Sequence, residues 1–296
     1  MSYLSAVLQG LIQGLTEFLP ISSSGHLSLF QYLTGINGEA SVTFSILLHL
    51  GTLVAVAVAF WHTIWELLAA AGLFLRDLFT GQLGKHKASP QRRMLYLLVL
   101  SCVPLLVVPF FSDAISDISS DNSILAEGVF FLCTAVILML GDRCAKGKKN
   151  AATMGWRDAA FVGVGQLFAV LPGVSRSGTT ISAGLMTGLE RSYAVGYSFI
   201  LGMPTILAAA LLDLKDVVGS GQGLGLEPGP ALVGVLVSAV SGFFAIKLVH
   251  YIVKTDKFKV FALYTLVLGL VVIGVAISET FTGHAVQGFF TALLGG

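Results

Sequence analysis

Two short polar stretches, residues 13–26 and 171–180, interrupt an otherwise apolar chain. Each is a hydroxyl-rich turn that follows a Leu-Pro pair, and together they carry Glu17, His26 and Arg176. Ionisable groups are costly inside a membrane and usually mark a working site. An acid, an imidazole, a guanidinium and several hydroxyls are the groups needed to bind and cleave a phosphate ester.

The composition predicts an integral membrane protein. Hydrophobic residues make up 55% of the 296 residues, charged residues only 11%, and the mean hydropathy is +0.86. Soluble domains carry about 25% charged residues, so the composition argues against a soluble fold. Six apolar stretches of about 20 residues, the length of one helical crossing, are free of charge except for Glu127 in the third. They are residues 40–61, 94–111, 124–140, 192–212, 228–246 and 260–278.

The distribution of charge predicts the topology. Basic residues concentrate in the stretches 76–93, 143–157 and 247–259, whereas acidic residues predominate in the stretches 113–121 and 213–227. The positive-inside rule assigns the basic stretches to the cytoplasm. With six crossings, both termini are then expected outside.

This topology requires an unusual feature between Arg157 and Arg191. Both residues are predicted to be cytoplasmic, yet the roughly 30 residues between them are almost wholly apolar. We therefore expect a re-entrant pair of half-helices broken near Pro172, since irregular backbone at depth must be shielded by protein or water. The alternative is one amphipathic helix on the membrane surface, but residues 167–171 and 181–189 are too apolar for it.

The chain also shows an internal repeat. The stretch Ser22–Gly25 aligns with Ser175–Gly178, one residue further after its Leu-Pro pair, and Phe44–Leu48 aligns with Tyr197–Leu201. The distance along the chain from Ser22 to Ser45 equals that from Ser175 to Ser198. Chance similarity between apolar helices is the alternative.

The repeat predicts the domain organisation. Residues 1–140 and 141–278 each form a re-entrant hairpin, at 2–34 and 158–190, followed by three transmembrane helices, and residues 279–296 form a tail. Because three crossings is an odd number, the second half is inverted, and the hairpins meet near the midplane. The predicted fold class is an all-α polytopic membrane protein with six transmembrane helices and two re-entrant helical hairpins in an inverted-topology repeat. Secondary transporters are also built in this way.

The two hairpin turns have the chemistry of an anion site. Helices that begin after a break offer free N–H groups and a dipole that favours an anion, and the fork of Arg176 suits phosphate oxygens. His26 lies three residues after Ser23, so both project towards one side of a helix. A histidine can accept the proton of a nearby serine, and a carboxylate such as Glu17 can orient or deprotonate that pair.

Structural explanations of these residues remain open at this point. Arg176 could be only an ion-pair partner for Glu17, His26 a packing residue, and the serines ordinary helix caps. Glu17 could also carry protons in a transporter. His49 has no comparable context and is interpreted as structural, with a place in the lining of the site as the alternative.

The motifs resemble those of a known family. Gln13-x-x-x-Glu17 followed by Ser22-Ser23-Ser24-Gly25-His26 resembles the first signature of the bacterial undecaprenyl-diphosphate phosphatases, the bacitracin-resistance proteins. Pro172-Gly173-x-Ser175-Arg176-Ser177-x-x-Thr180 resembles their second signature, and the resemblance extends to about residue 278. Gln13 occupies a position where the family has Glu or Gln, so one metal-binding carboxylate is absent. Many members have Trp in place of Leu171 and Gln in place of His49.

The resemblance implies hydrolysis of undecaprenyl diphosphate to undecaprenyl phosphate, which recycles the lipid carrier of peptidoglycan synthesis and confers bacitracin resistance. It implies a bacterial plasma (inner) membrane location, an active site facing outside, and a divalent cation, Mg or Ca, with Glu17 as a metal ligand. Ser23 is the implied nucleophile, with Glu17 and His26 as its acid–base partners and Arg176 holding the diphosphate. The implied substrate-binding residues are Gln13, Ser22, Ser24, Ser175, Ser177 and Thr180.

Other functional questions stay open in the sequence. A phosphoserine intermediate and direct attack by His26 are both compatible with it. A transporter or flippase for a polyprenyl phosphate or a small anion is the alternative function. We expect a polyprenyl diphosphate lipid and the bilayer as partners and no nucleic acid, while a homodimer is left open.

Overall fold

The computed structural model describes residues 1–36, 39–82, 89–111, 115, 123–144, 146–219, 226–255 and 257–294. Lys85, Lys87 and the acidic residues of the stretch 113–121, which contributed to the topology prediction, lie outside this range. The described residues form twelve α-helices and one 3-10 helix, Val103–Phe110. The α-helices are α1 Tyr3–Phe18, α2 Ser23–Thr34, α3 Glu39–Ala59, α4 Trp61–Phe79, α5 Pro90–Cys102, α6 Leu125–Arg143, α7 Trp156–Phe168, α8 Arg176–Met186, α9 Arg191–Gly219, α10 Pro228–Lys254, α11 Lys259–Thr282 and α12 Ala285–Leu294.

Six of these segments are long and apolar enough to cross a membrane, which confirms the all-α class and the six predicted spans. Half or more of each span lies outside the protein interior, as expected for helices that face lipid. The last span ends four residues beyond the predicted limit of 278. The spans are Ser41–Ala59, Pro90–Phe110, Leu125–Arg143, Arg191–Leu212, Pro228–Lys254 and Lys259–Thr282.

The second span changes from α-helix to 3-10 helix after Cys102. Pro104 and Pro109 lack the backbone N–H that an α-helix requires, so the ladder of hydrogen bonds is interrupted there. The end of α5 also lies close to α7. A Cβ placed at Gly163 of α7 would lie only 2.6 Å from the Ser101 carbonyl oxygen of α5.

Two pairs of helices are each joined by a short elbow at the positions that the sequence predicts. The first elbow joins α1 to α2 at residues 19–22, and the second joins α7 to α8 at residues 169–175. Ser22 caps α2 by accepting a hydrogen bond from the Gly25 N–H at 3.2 Å, and Ser175 caps α8 in the same way from Gly178 at 3.0 Å. Hydroxyl caps of this kind satisfy N–H groups that a helix start leaves free.

Small residues bring α1 and α10 into close contact. A Cβ at Gly10 would lie 2.6 Å from the Gly234 carbonyl oxygen, and a Cβ at Gly14 would collide with the Ser241 hydroxyl. Such glycines let two helix backbones approach closely, as is common between helices within membranes. The contact fixes the end of α1 that carries Glu17.

Helix α4, Trp61–Phe79, was not predicted from the sequence. It is amphipathic, exposing Trp61 and Trp65 while burying Asp77. Arg92 donates to the Asp77 carboxylate at 2.9 Å and Arg76 at 3.2 Å. The hydrogen bond from Arg92 is the main cause that lowers the pKa of Asp77. The pair with Arg92 ties α4 to the start of α5.

The tail forms helix α12, which Glu279 fastens to the rest of the protein. The buried Glu279 carboxylate accepts hydrogen bonds from the N–H groups of Val286 at 2.8 Å and Gln287 at 3.0 Å. Tyr32 of α2 also donates to it at 3.3 Å. One side chain thus joins α11, α12 and the far end of α2.

Replacing Glu279 with alanine is expected to destabilise the protein by about 1–3 kcal/mol, because three partly buried donors lose their acceptor. The thermal midpoint of the purified protein in detergent, followed by circular dichroism, measures this loss. Glu66→Ala on the exposed face of α4 is the control and should leave the midpoint unchanged. Equal midpoints for the Glu279 and Glu66 variants would contradict this account of the tail.

Candidate active site

The two elbows contact each other through hydrogen bonds. The Gly173 N–H donates to the Ser24 hydroxyl at 3.3 Å, and the Ser177 hydroxyl donates to the Leu19 carbonyl oxygen at 3.3 Å. The helix that follows each elbow therefore supplies one serine that bonds to the backbone of the other elbow. The contact brings the N-terminal ends of α2 and α8, from distant parts of the chain, to one place.

Glu17 is the acceptor on which the site converges. Arg176 donates through Nη2 to Oε1 at 2.6 Å, and the Ser23 hydroxyl donates to Oε2 at 2.6 Å. Gln13, one turn earlier on α1, donates through Nε2 to Oε2 at 3.0 Å. A buried carboxylate needs such partners because it has lost its water. The sequence prediction that Arg176 and Glu17 lie together is confirmed.

Arg176 is held against α9. Its Nη1 donates to the Ser198 carbonyl oxygen at 3.2 Å, and Thr180 bonds to the Ser198 hydroxyl at 2.6 Å. A Cβ at Gly202 would collide with the guanidinium, so the side chain can lie here only because position 202 has no side chain. The guanidinium is thus fixed on one side by α9 and on the other by Glu17.

The first elbow contains a strained residue. Ser22 has a φ of 75°, a left-handed conformation that costs a non-glycine residue about 1–3 kcal/mol. It is nearly fully buried, and the turn it makes directs Ser23 towards Glu17. Strain of this kind persists where the surrounding structure enforces it, often at functional sites.

The remaining predicted substrate-binding residues lie around the same elbows. The hydroxyls of Ser22 and Ser24 are 3.4 Å apart, and those of Ser175 and Ser177 are 3.3 Å apart. Thr180 donates to the Arg176 carbonyl oxygen at 2.8 Å, one turn into α8. The structure therefore brings all these residues together, while their roles towards a substrate stay predictions.

His26 is arranged differently from the simplest expectation. Its Nδ1 lies 2.6 Å from the Ser22 carbonyl oxygen, and its Nε2 lies 2.8 Å from the Tyr264 hydroxyl. The hydroxyl of Ser23 is instead bonded to Glu17. The geometry therefore favours the carboxylate as the group that takes the Ser23 proton first.

Sequence reasoning missed two residues of the site and gave a third, His49, a structural role as the preferred interpretation. Tyr264 contacts His26 across 238 positions, and no local pattern distinguishes it from other span tyrosines. His49, interpreted as structural, has its Nε2 3.8 Å from Glu17 Oε2. Gly202 lies on an apolar span, where its role depends on a distant arginine. Ser198, by contrast, could have been identified from the sequence, because it aligns with Ser45 in the internal repeat.

Comparison with known proteins places these motifs in a family. Residues 6–271, which include both elbows, match the model of a family described as bacitracin resistance protein BacA. A relative from Methanosphaera stadtmanae is 37% identical over 91% of this chain and 96% of its own length. Relatives from Alkaliphilus metalliredigens and Bacteroides thetaiotaomicron are 36% and 37% identical, each over 92% of this chain and 98% of their own. All three are named undecaprenyl-diphosphatase. With its polar elbows inside the matched region, this chain belongs to the BacA family.

Proposed function

We propose that this protein is an integral membrane phosphatase that hydrolyses undecaprenyl diphosphate to undecaprenyl phosphate and inorganic phosphate. The observation that carries the proposal is the arrangement around Glu17, where a serine hydroxyl and an arginine share one buried carboxylate. Phosphoryl transfer needs a nucleophile, a base that takes its proton and a positively charged group that binds phosphate, here a guanidinium. The names of the relatives specify the substrate.

In the first step, the Ser23 oxygen attacks the terminal phosphorus while Glu17 takes its proton. The bond from that phosphorus to the bridging oxygen breaks, and undecaprenyl phosphate leaves. Protonation removes the negative charge of Glu17 and so weakens its ion pair with Arg176 at the same moment. The guanidinium then binds the phosphoryl oxygens, where charge accumulates.

In the second step, water attacks the phosphoserine and releases inorganic phosphate. His26 accepts the proton of the water through Nε2, and Glu17 returns its proton to the Ser23 oxygen. The N-terminal ends of α2 and α8 stabilise the anion throughout through their N–H groups and dipoles. The alternative of direct attack by His26 is less favourable, because the Ser23 hydroxyl, and not the imidazole, is bonded to the carboxylate that acts as the base.

The residues of the site fit a divalent cation such as Mg or Ca. These ions prefer oxygen ligands, and the Gln13 side-chain oxygen is buried without a hydrogen-bond partner in the described part of the chain. It lies on the residue that contacts Glu17, so Gln13 and Glu17 would hold the ion. When bound, the cation would neutralise part of the diphosphate charge.

We also infer that both helix pairs are re-entrant and that the two halves form an inverted repeat. Helices of 12 and 11 residues, the lengths of α2 and α8, extend only about 16–18 Å, which is too short for a bilayer core of about 30 Å. The matching serine caps of the elbows support the repeat. The basic stretches then orient the protein in the plasma membrane with both termini and the site outside.

Replacing Ser23 with alanine is expected to lower phosphate release by about three orders of magnitude or more, because the nucleophile is lost. The assay supplies undecaprenyl diphosphate in detergent micelles and measures inorganic phosphate. The control is Ser28→Ala, on the same helix as Ser23. It removes a hydroxyl that bonds to Glu127 of α6 and should keep most of the activity. If the native protein releases no phosphate but moves the lipid across vesicles, it is a carrier and the proposal is wrong.

Removing divalent cations is expected to abolish turnover reversibly. A chelator added to the native protein should stop phosphate release, and excess Mg or Ca should restore it, because the diphosphate charge is then neutralised again. Full activity in the chelator after extensive dialysis would exclude a cation role while leaving the phosphatase proposal intact.

Replacing Gly202 with alanine is expected to reduce turnover about tenfold or more, because the new methyl group displaces the Arg176 guanidinium. Gly196→Ala is the matched control on the same helix, since a Cβ there would make an ordinary contact of 3.6 Å with Phe60. Steady-state phosphate release by both variants checks the prediction. Equal activities would show that the position of Arg176 does not depend on Gly202.

A further inference from the structure

Both ring nitrogens of His26 have partners, and one partner belongs to the last membrane span. A carbonyl oxygen can only accept, so Nδ1, 2.6 Å from the Ser22 carbonyl, carries the hydrogen. In the neutral ring, Nε2 then has the lone pair and accepts from the Tyr264 hydroxyl at 2.8 Å. These two contacts together assign the Nδ1–H tautomer.

The faces and edge of the imidazole are also fixed. The Tyr264 ring lies nearly parallel to it, with an interplanar angle of 8° and centroids 5.7 Å apart. Phe131 packs edge-on at 5.2 Å and 77°. Offset-stacked and edge-on arrangements are the favourable ones for aromatic pairs. The orientation of His26 therefore depends on Tyr264 through both the ring and the hydroxyl.

The exposure of Tyr264 argues against a role in core packing. The residue is 43% exposed on α11, between the apolar and more exposed Leu263 and Val267. Its ring thus lies at the border between the lipid-facing surface and the site. The specific contact that Tyr264 makes from this border is the hydrogen bond to His26.

We infer that Tyr264 is a positioning residue that keeps His26 ready for the second step of the reaction, an inference that rests on the proposed function. By donating to Nε2, the phenol keeps that nitrogen unprotonated and the ring aimed at one place. The phenol then gives way to the attacking water, whose proton Nε2 accepts. Ser23 and Glu17 act in the first step without contact to the phenol.

Tyr264→Phe in the full-length protein tests this inference. We expect kcat to fall about three- to tenfold, the effect of losing one neutral hydrogen bond, with KM changed less than about twofold. Tyr96→Phe, at a span tyrosine with 40% exposure on α5, is the matched control and should behave as native protein. An unchanged thermal midpoint for both variants verifies folding.

Two further readouts separate positioning from a general structural role. In ¹⁵N-histidine NMR, assigned with His26→Gln, the native protein should show the Nδ1–H tautomer, and Tyr264→Phe should shift the Nε2 signal. In the His26→Gln background, Tyr264→Phe should add no further loss, since it acts through His26. Native kcat with an unmoved Nε2 signal, or an equal loss in both backgrounds, would overturn the inference. If the native protein releases no phosphate, the proposed function fails, and the NMR comparison alone decides the contact.

Discussion

The ion pair between Glu17 and Arg176 is the constraint on which the rest of the structure depends. It joins two elbows that are 159 positions apart, at a place where both groups have little access to water. Removing one partner from a buried pair leaves an uncompensated charge and costs about 3–5 kcal/mol. Neither elbow can therefore take up its position without the other. The serines that cross between the elbows add directional contacts to this attraction, so the two halves of the chain must fold as one unit.

The same pair explains features that look unrelated in the sequence. Because the guanidinium must lie flat on α9, position 202 has to be glycine, and the Ser198 carbonyl must face it. Because the carboxylate must reach across from α1, that helix is held tightly against α10 by glycines. The strain at Ser22 is sustained by this surrounding structure. A buried ion pair contributes little net stability, and in the proposed mechanism its part is chemical, because the two charges separate during turnover.

The sequence predicted the spans and the elbows well, because both leave local signals. A predominantly apolar run of about 20 uncharged residues is typical of a crossing, and a Leu-Pro pair followed by serines marks a helix break and a cap. Arg176 and Glu17 could be paired from the cost of burying each alone. Helix α4 escaped prediction because its charges resemble a loop, although Asp77 is buried by two arginines. Tyr264 and Gly202 could not be found, since their roles arise from contacts between helices that no pattern along the chain encodes.

The gradient of exposure across the site relates the fold to a lipid substrate. Ser24 is exposed and Tyr264 is half-exposed near the start of α2, whereas Glu17 and Arg176 lie deeper behind them. In the proposed re-entrant arrangement, the elbows end within the bilayer instead of crossing it. A hydrocarbon chain gains nothing by leaving lipid, so only the headgroup of the substrate has to move inward. Two short half-helices are suited to this task, because their N-terminal ends place anion-binding groups at a depth that a continuous helix would fill with apolar side chains.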